Sequence, residues 1–356
     1  MMEVVASSIG GTFPPIKLDG LYDEGNDRIK KIYTCSIEDG EELSKIFSQL
    51  LLLRSCHRLL SSDSEPVSRV TARFFVNKKA VIPQELHDDV EAQLSLDGEF
   101  ADYNLVYLGR NFEGRTAKEE ITSRQRDRAE GIDEGIDFSG NKSLEVIVGD
   151  EVAVRTVKPS PDDAVFDSFA KKVLEIYEDS FFGDYSFEMN LDSVRSLLRK
   201  DTNIVKVIQS RRTEEVYSIG VGETISLPLT INGSERIFSM AEISDAATPV
   251  RHHGKGYYSS IAAELTRELL ATGVDLVYGE ARAASSAVMT VCRKTGRRLA
   301  RDYHGKPAIL KKHCIINGAK ESGLDETELN GKYNRLENLA VWYATRDKLK
   351  EFYLPK

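Results

Sequence analysis

The chain has 356 residues, a formal net charge of −9 and a pI near 5.4. A chain this acidic is a poor general binder of nucleic acid or anionic membrane, so any anion site on it must be local. Hydrophobic residues at 41% and charged residues at 29% are ordinary globular proportions, and the length predicts two domains.

The four cysteines, Cys35, Cys56, Cys292 and Cys314, show no CxxC spacing and no histidine cluster. Reduced thiols are expected, with no disulfide framework and no metal. The first residues lack the charged and apolar regions of a secretory leader, and apolar runs such as Leu50–Leu53 fall far below the ~20 residues of a membrane span. A cytoplasmic location without membrane or nucleic-acid partners is the expectation.

In chain order, residues 1 to 30 read as irregular, punctuated by Gly10, Gly11, Pro14 and Pro15. Asp39 and Glu42 fit a capping box, and Leu43, Ile46, Phe47, Leu50 and Leu51 follow at helical spacing. Val67–Val76 reads as a strand, Glu85–Leu94 as a helix and Tyr103–Leu108 as a strand. Together they predict a smaller N-terminal α/β domain, residues 1–145, of no assigned role. It ends in a charged, Gly-punctuated stretch (110–143) that admits a linker, a mobile loop or a solvated helix.

The second domain is expected over residues 146–356. Val152–Val157 alternates as a strand, and Val165, Phe169, Val173, Ile176 and Tyr177 make one helical face. Leu191–Leu198 follows as a helix, then Ile204–Ile208, Val216–Val221 and Arg236–Ile243 as strands. Tyr257–Leu270 reads as helix, Leu276–Glu280 as strand, Ser285–Lys294 as helix, and Ala308–Ile316 and Leu339–Tyr343 as strands.

Between a strand and a helix lies "TPVRHHGKGYYSS", Thr248–Ser260. Backbone N–H groups at a helix start are unpaired and carry partial positive charge, and glycines allow a ligand to approach closely. The segment is an anion cradle suited to pyrophosphate. It matches neither GxxxxGK[ST] nor GxGxxG.

What it does contain is R-x-x-G-x-G, as Arg251, Gly254 and Gly256. In this strand–helix context it resembles the acetyl-coenzyme A loop of the GCN5-related N-acetyltransferases (GNAT), over roughly Glu151 to Tyr343. "EISDAATPVRHHGKGYYSSIAAEL", "GEARAASSAVMTVCRKTG", "HCIING" and "NRLENLAVWYAT" are also similar to the β-lysine N-acetyltransferase branch, whose members acetylate a side-chain amine of a free diamino acid. The resemblance implies a mixed, mostly antiparallel sheet flanked by helices, with acetyl-coenzyme A as acyl donor. It implies pantetheine contacts from the backbone of Ala246, Ala247, Thr248 and Val250. The pyrophosphate would be wrapped by His252, His253, Gly254, Lys255, Gly256, Tyr257 and Tyr258, with Arg251 also binding the cofactor. Strand splaying after Ile243 would open the slot. Ser285 lies where the family often has an asparagine near the pantetheine. Cys292 lies where many members carry a tyrosine proton donor, which leaves the general acid unassigned, with Tyr257, Tyr258 and Tyr303 as alternatives.

The attacking amine must be neutral, whereas a free alkyl ammonium has a pKa near 10. Glu242, Glu280 and Asp245 are the candidate carboxylates for binding or deprotonating it. Alternation sets Glu242 and Ser244 on one face of their strand and Ile243 and Asp245 on the other. A run of cations from Arg293 to Lys312 is either a solvated face or a contact for coenzyme phosphates or an acidic carrier protein. Trp342 is a buried strand residue or part of an acceptor pocket. The expected activity is acetyl transfer to the primary amine of a small amino-acid-like acceptor, with a homodimer admitted. Two alternatives stand beside it: a protein N-acetyltransferase and a non-catalytic acyl-coenzyme A sensor.

Overall fold

A computed structural model describes residues 22–23, 28–60, 69–112, 119–136, 152–158, 162–181, 190–231, 233–315 and 335–354. The strands are β1 (Tyr22–Asp23), β2 (Arg28–Ile37), β3 (Arg69–Asn77), β4 (Val90–Ser95), β5 (Tyr103–Asn111), β6 (Val152–Thr156), β7 (Asn203–Ser210), β8 (Val216–Ile231), β9 (Ser234–Ala247), β10 (Leu276–Arg282), β11 (Arg298–Leu299), β12 (Ile309–Ile315) and β13 (Arg335–Thr345). The helices are α1 (Gly40–Leu60), α2 (Glu119–Gly135), α3 (Asp163–Phe181), α4 (Leu191–Arg199), α5 (Tyr257–Thr272), α6 (Ser286–Lys294) and α7 (Arg346–Tyr353).

The strands join in one mixed sheet with the path β11-β13-β10-β9-β8-β2-β3-β5-β4. Pairing is antiparallel except for β2 with β3, β2 with β8, and β9 with β10. The C-terminal order follows the one read from the sequence, with β11 and α7 added. The strand β2 is a correction, since its first residues were read as irregular. It pairs with β8 through Cys35 and Thr230, and so links the two halves of the sheet.

The helix expected at 85–94 is instead a 3-10 turn, Gln84–Asp89, followed by β4. Val90, Ala92 and Leu94 are buried while Glu91, Gln93 and Ser95 are not, which is a period of two. Of the alternatives for 110–143, residues 119–135 are helical. The buried positions of α2 are Thr122, Gln125 and Ala129, small or polar, so no apolar stripe announced it. Asn338 donates to Gln125 Oε1 at 2.7 Å, which satisfies that buried amide. The domain boundary expected near 145 lies outside the described residues.

Residues from both sides of that boundary form one apolar core. Phe75, Leu94, Phe100, Leu105 and Tyr107 pack with Leu229, Phe238, Met240, Leu276, Tyr278 and Val341. The sheet curls back on itself, so the Gln93 N–H of β4 bonds the Arg301 carbonyl at 2.7 Å. On the opposite face of β9 and β10, Ala241, Ile243 and Val277 pack under Ile261, Leu265 and Leu269 of α5. Those three helix positions recur every four residues, which fixes which side of α5 faces the sheet.

Candidate active site

Strands β9 and β10 pair in parallel only at Leu276↔Met240, Val277↔Ala241 and Tyr278↔Glu242. Beyond Glu242 no register pair joins them, although β9 runs on to Ala247 and β10 to Arg282. The two strands form a fork with Glu242 and Tyr278 at its base, one residue before the splay expected after Ile243.

A bulge shapes the β9 arm. Its register with β8 passes from Val221↔Ser244 to Ile219↔Ala247, so β9 carries one extra residue. Asp245 absorbs it at φ 45°. The Tyr177 hydroxyl of α3 donates to the Asp245 carbonyl at 2.9 Å and holds the kink. This interrupts the expected alternation: Ser244, Asp245 and Ala246 all keep part of their surface exposed.

After β9 the chain turns through Thr248, whose hydroxyl lies 2.7 Å from Ser218 Oγ, into a 3-10 turn at Val250–His252. Gly254 and Gly256 then take φ of 75° and 74°, a region that strains any side chain. Gly256 is the N-cap of α5, and no side chain caps that helix. The first-turn N–H groups therefore open toward the fork end of the sheet with their partial charge uncancelled. Within the loop, His253 donates to the Thr248 carbonyl at 2.8 Å and Lys255 Nζ lies 3.3 Å from His252 Nδ1. The His252 ring packs against Tyr217 at 4.6 Å and Tyr257 at 6.1 Å. Partial burial, then Lys255 and Arg251, hold the His252 imidazole below its ordinary pKa. Arg251 is ion-paired with Asp179 of α3 and exposed. Val250 is exposed as well.

The candidate carboxylates are wired together at the base of the fork. The Tyr278 hydroxyl donates to Glu242 Oε2 at 2.8 Å. Arg73, from β3, donates to the Tyr278 oxygen at 3.0 Å and to Glu280 Oε1 at 2.8 Å. Its guanidinium lies over the Tyr107 ring, 4.4 Å from the centroid. Burial pushes the Tyr107 and Tyr278 phenols up, so both stay neutral. Opposite Glu242 in register stands Glu223, which accepts the Ser244 hydroxyl at 2.8 Å and pairs with Lys200 at 3.2 Å.

The structure thus joins Glu242 and Glu280 through Tyr278 and Arg73, and sets Asp245 apart in the bulge. Arg73, Tyr107, Tyr278 and Glu223 were not found by sequence reasoning. A lone arginine inside the apolar strand "VTARFFV" was the available signal for Arg73. Ser285 is the N-cap of α6, accepting from the Val288 N–H at 3.5 Å. Cys292 and Trp342 are buried in the core under α6. The basic run is drawn inward in part: Arg293 pairs with Asp133 at 3.2 Å and Arg301 with Glu130 at 2.5 Å, both on α2. Among the described residues no group of three or more His, Cys, Asp or Glu is arranged to hold a metal ion, and no helix is long and apolar enough to cross a membrane.

No protein-family model matches the chain, and no curated protein matches it. Solved structures do. Arabidopsis thaliana NAA60 in complex with acetyl-CoA matches at 11% identity and a TM-score of 0.39, over 55% of this chain and 98% of that one. An acetyltransferase (GNAT family) from Bacillus anthracis matches at 13% identity and a TM-score of 0.35, over 56% of this chain and 98% of that one. A conserved protein from Enterococcus faecalis V583 matches at 16% identity and a TM-score of 0.28, and there this chain spans only 29% of the other's length. Each of these is a structure the chain is similar to, at 16% identity or below and over no more than 56% of its length.

Proposed function

We propose that the protein transfers an acetyl group from acetyl-coenzyme A to the primary amine of a small, amino-acid-like acceptor. The observation that carries this reading is the fork between β9 and β10, with an uncapped, glycine-led helix start at its open end and a carboxylate at its base. An open strand edge offers N–H and C=O groups to the amide-rich pantetheine arm. The α5 start offers N–H groups to the pyrophosphate. Glu242 takes a proton from the acceptor ammonium and passes it to water; the neutral amine attacks the thioester carbonyl. N–H groups of the bulged segment near Ala246 and Ala247 receive the oxyanion.

A small acceptor is favoured by the N-terminal half. Arg73 and Tyr107 come from β3 and β5 and pack on the face of the sheet that carries Glu242 and Glu280. That wall covers the face from which a folded polypeptide would otherwise approach Glu242 and Glu280. Thiol release from acetyl-coenzyme A across a panel of amines, amino acids and peptides tests the reading. Turnover with a small amine supports it, turnover with peptides alone removes the acceptor, and release with none removes the activity.

Two outcomes are expected at the coenzyme loop. Gly254→Val with Gly256→Val forces β-branched side chains into left-handed backbone and blocks the helix mouth, so calorimetry should show acetyl-coenzyme A binding abolished while the thermal transition persists. Unchanged affinity would remove the loop from the site. The second outcome concerns His252, whose pKa is depressed in the free protein. A bound phosphate beside it should raise that pKa. Affinity then grows as pH falls through the window between the raised and the depressed values, and is lost as pH rises. An imidazole titration followed by NMR that does not move on adding coenzyme A would place the phosphates elsewhere.

A further inference from the structure

A cavity of about 470 Å³ lies away from the fork, between the turn Gln84–Asp89, strand β5, helix α2 and the loop that carries Asp302 and Lys306. None of its lining residues belongs to β8, β9, β10 or the glycine loop. The volume is that of a small-molecule site.

Strand β3 runs from the cavity to the fork. Arg69 and Arg73 lie four residues apart on one face of it, about 13 Å at the rise of an extended strand. Arg73 serves the fork, and Arg69, fully buried, serves the cavity floor. Arg69 donates to Asn111 Oδ1 at 2.6 Å and pairs with Glu91, and both partners line the cavity. The pair crosses Gly109, where a Cβ would collide with Glu91 Oε2 and Arg69 Nη2.

Part of the charge in the wall is matched. Asp89 accepts from Arg110, and Glu91 is closed by Arg69. Setting those pairs aside leaves two cations, Arg126 and Lys306, and three carboxylates, Asp88, Glu119 and Asp302. Arg126 donates through Nη1 to Glu119 at 2.9 Å, yet its buried Nε has no partner. Its Nη2 stands 3.8 Å from Asp302 Oδ2, beyond hydrogen-bond reach. These two side chains are only 19% and 11% exposed, so water does little to satisfy them. Lys306 Nζ makes no ion pair or hydrogen bond among the described residues.

The frame around these groups is set in advance. Asp302 Oδ1 accepts the backbone N–H groups of His304 and Lys306, both at 2.9 Å, which fixes the loop and leaves Oδ2 over. The Tyr303 ring stacks on His87 at 3.7 Å, and His87 Nε2 lies 2.9 Å from the Ile82 carbonyl oxygen. The unmatched groups are thus of both signs across one small space. A doubly charged phosphate would meet three carboxylates, and a lone ammonium would meet Arg126 and Lys306. A molecule with one charge of each sign complements both.

We propose that this cavity is a second binding site, separate from the fork, for a zwitterion of amino-acid size. The carboxylate of that molecule takes Lys306 Nζ and Arg126 Nη2, and its ammonium takes Asp302 Oδ2. The site stands whether or not the protein transfers acetyl groups.

The test is calorimetry with the twenty common amino acids, one at a time, beside acetate, ethylamine and inorganic phosphate. At least one amino acid should bind, about tenfold or more tighter than acetate or ethylamine, because both charges are engaged. Lys306→Ala, which removes a side chain without a partner, should weaken that binding roughly tenfold, the loss of one charge-assisted contact. Asp302→Asn keeps Oδ1 for the loop and removes the charge, so it should weaken the amino acid and spare acetate. Glu242→Gln, at the fork, should change nothing in this binding. Retained thermal transitions in all three variants keep the comparison clean. No binding by any amino acid, tighter binding of phosphate, or binding that ignores both Lys306→Ala and Asp302→Asn overturns the site. A loss in Glu242→Gln alone would place the amino acid at the fork and overturn it as well.

Discussion

Glu242→Gln is expected to lower turnover by about 10²-fold or more at neutral pH, the loss typical of a missing general base, while acetyl-coenzyme A binding barely changes. The substitution keeps the shape and the hydrogen bond from Tyr278 but removes the charge. The acceptor ammonium, with a pKa near 10, then has to lose its proton to bulk water. The defect should shrink as pH rises toward that value, because the neutral amine becomes abundant without help. A pH–rate comparison of variant and wild type measures this. Near-normal turnover of Glu242→Gln at neutral pH would remove the assignment, and Glu280 and Asp245 would be tested next. Glu280 is held by Arg73.

Arg73→Met is expected to cost about 3–5 kcal/mol of stability, the usual penalty for removing one partner of a buried ion pair. The Arg73 and Glu280 side chains are only 16% and 5% exposed, so solvent does little to screen the charge left behind. The variant also strips the Tyr278 oxygen of its donor and leaves the Tyr107 ring face uncovered. Arg73→Met with Glu280→Gln should recover most of the loss, because no charge is then stranded. Denaturant melts of the two singles and the double measure the coupling. A single variant as stable as wild type would show that the pair holds nothing together. Coenzyme binding should survive in both, since the pair lies on the face of the sheet away from α5.

Much of the C-terminal half was legible because its elements obey simple periods. Ile261, Leu265 and Leu269 repeat at helical spacing, and the strands from β6 to β10 carry unbroken apolar runs or alternation. The loop was legible because positive-φ glycines and an uncapped helix start leave a pattern in the chain. The bulge at Asp245 was not, since a one-residue register change is a property of the β8–β9 pair and not of either strand. The strand β4 was misread because six residues of alternation are too few to outweigh a helix-compatible composition. Arg73 and Tyr107 were out of reach for another reason. Arg73 lies 207 residues from Glu280 in sequence, and only the curling of the sheet brings the two together.

That same curl governs traffic through the site. The strand β8 pairs with β7 and β9 and, through Thr230, with β2, so it belongs to both the floor under the fork and the wall above it. A wall and floor tied by one strand and one apolar core do not part like the halves of a clamshell. Opening them would bare Phe75, Leu105, Phe238 and Met240 to water, at roughly 25 cal/mol for each Å² exposed. For the proposed acetyl transfer, reactants would then come and go along the edge of the gap between β9 and β10, past the glycine loop, and the motions it calls for are local to that loop and the side chains beside it.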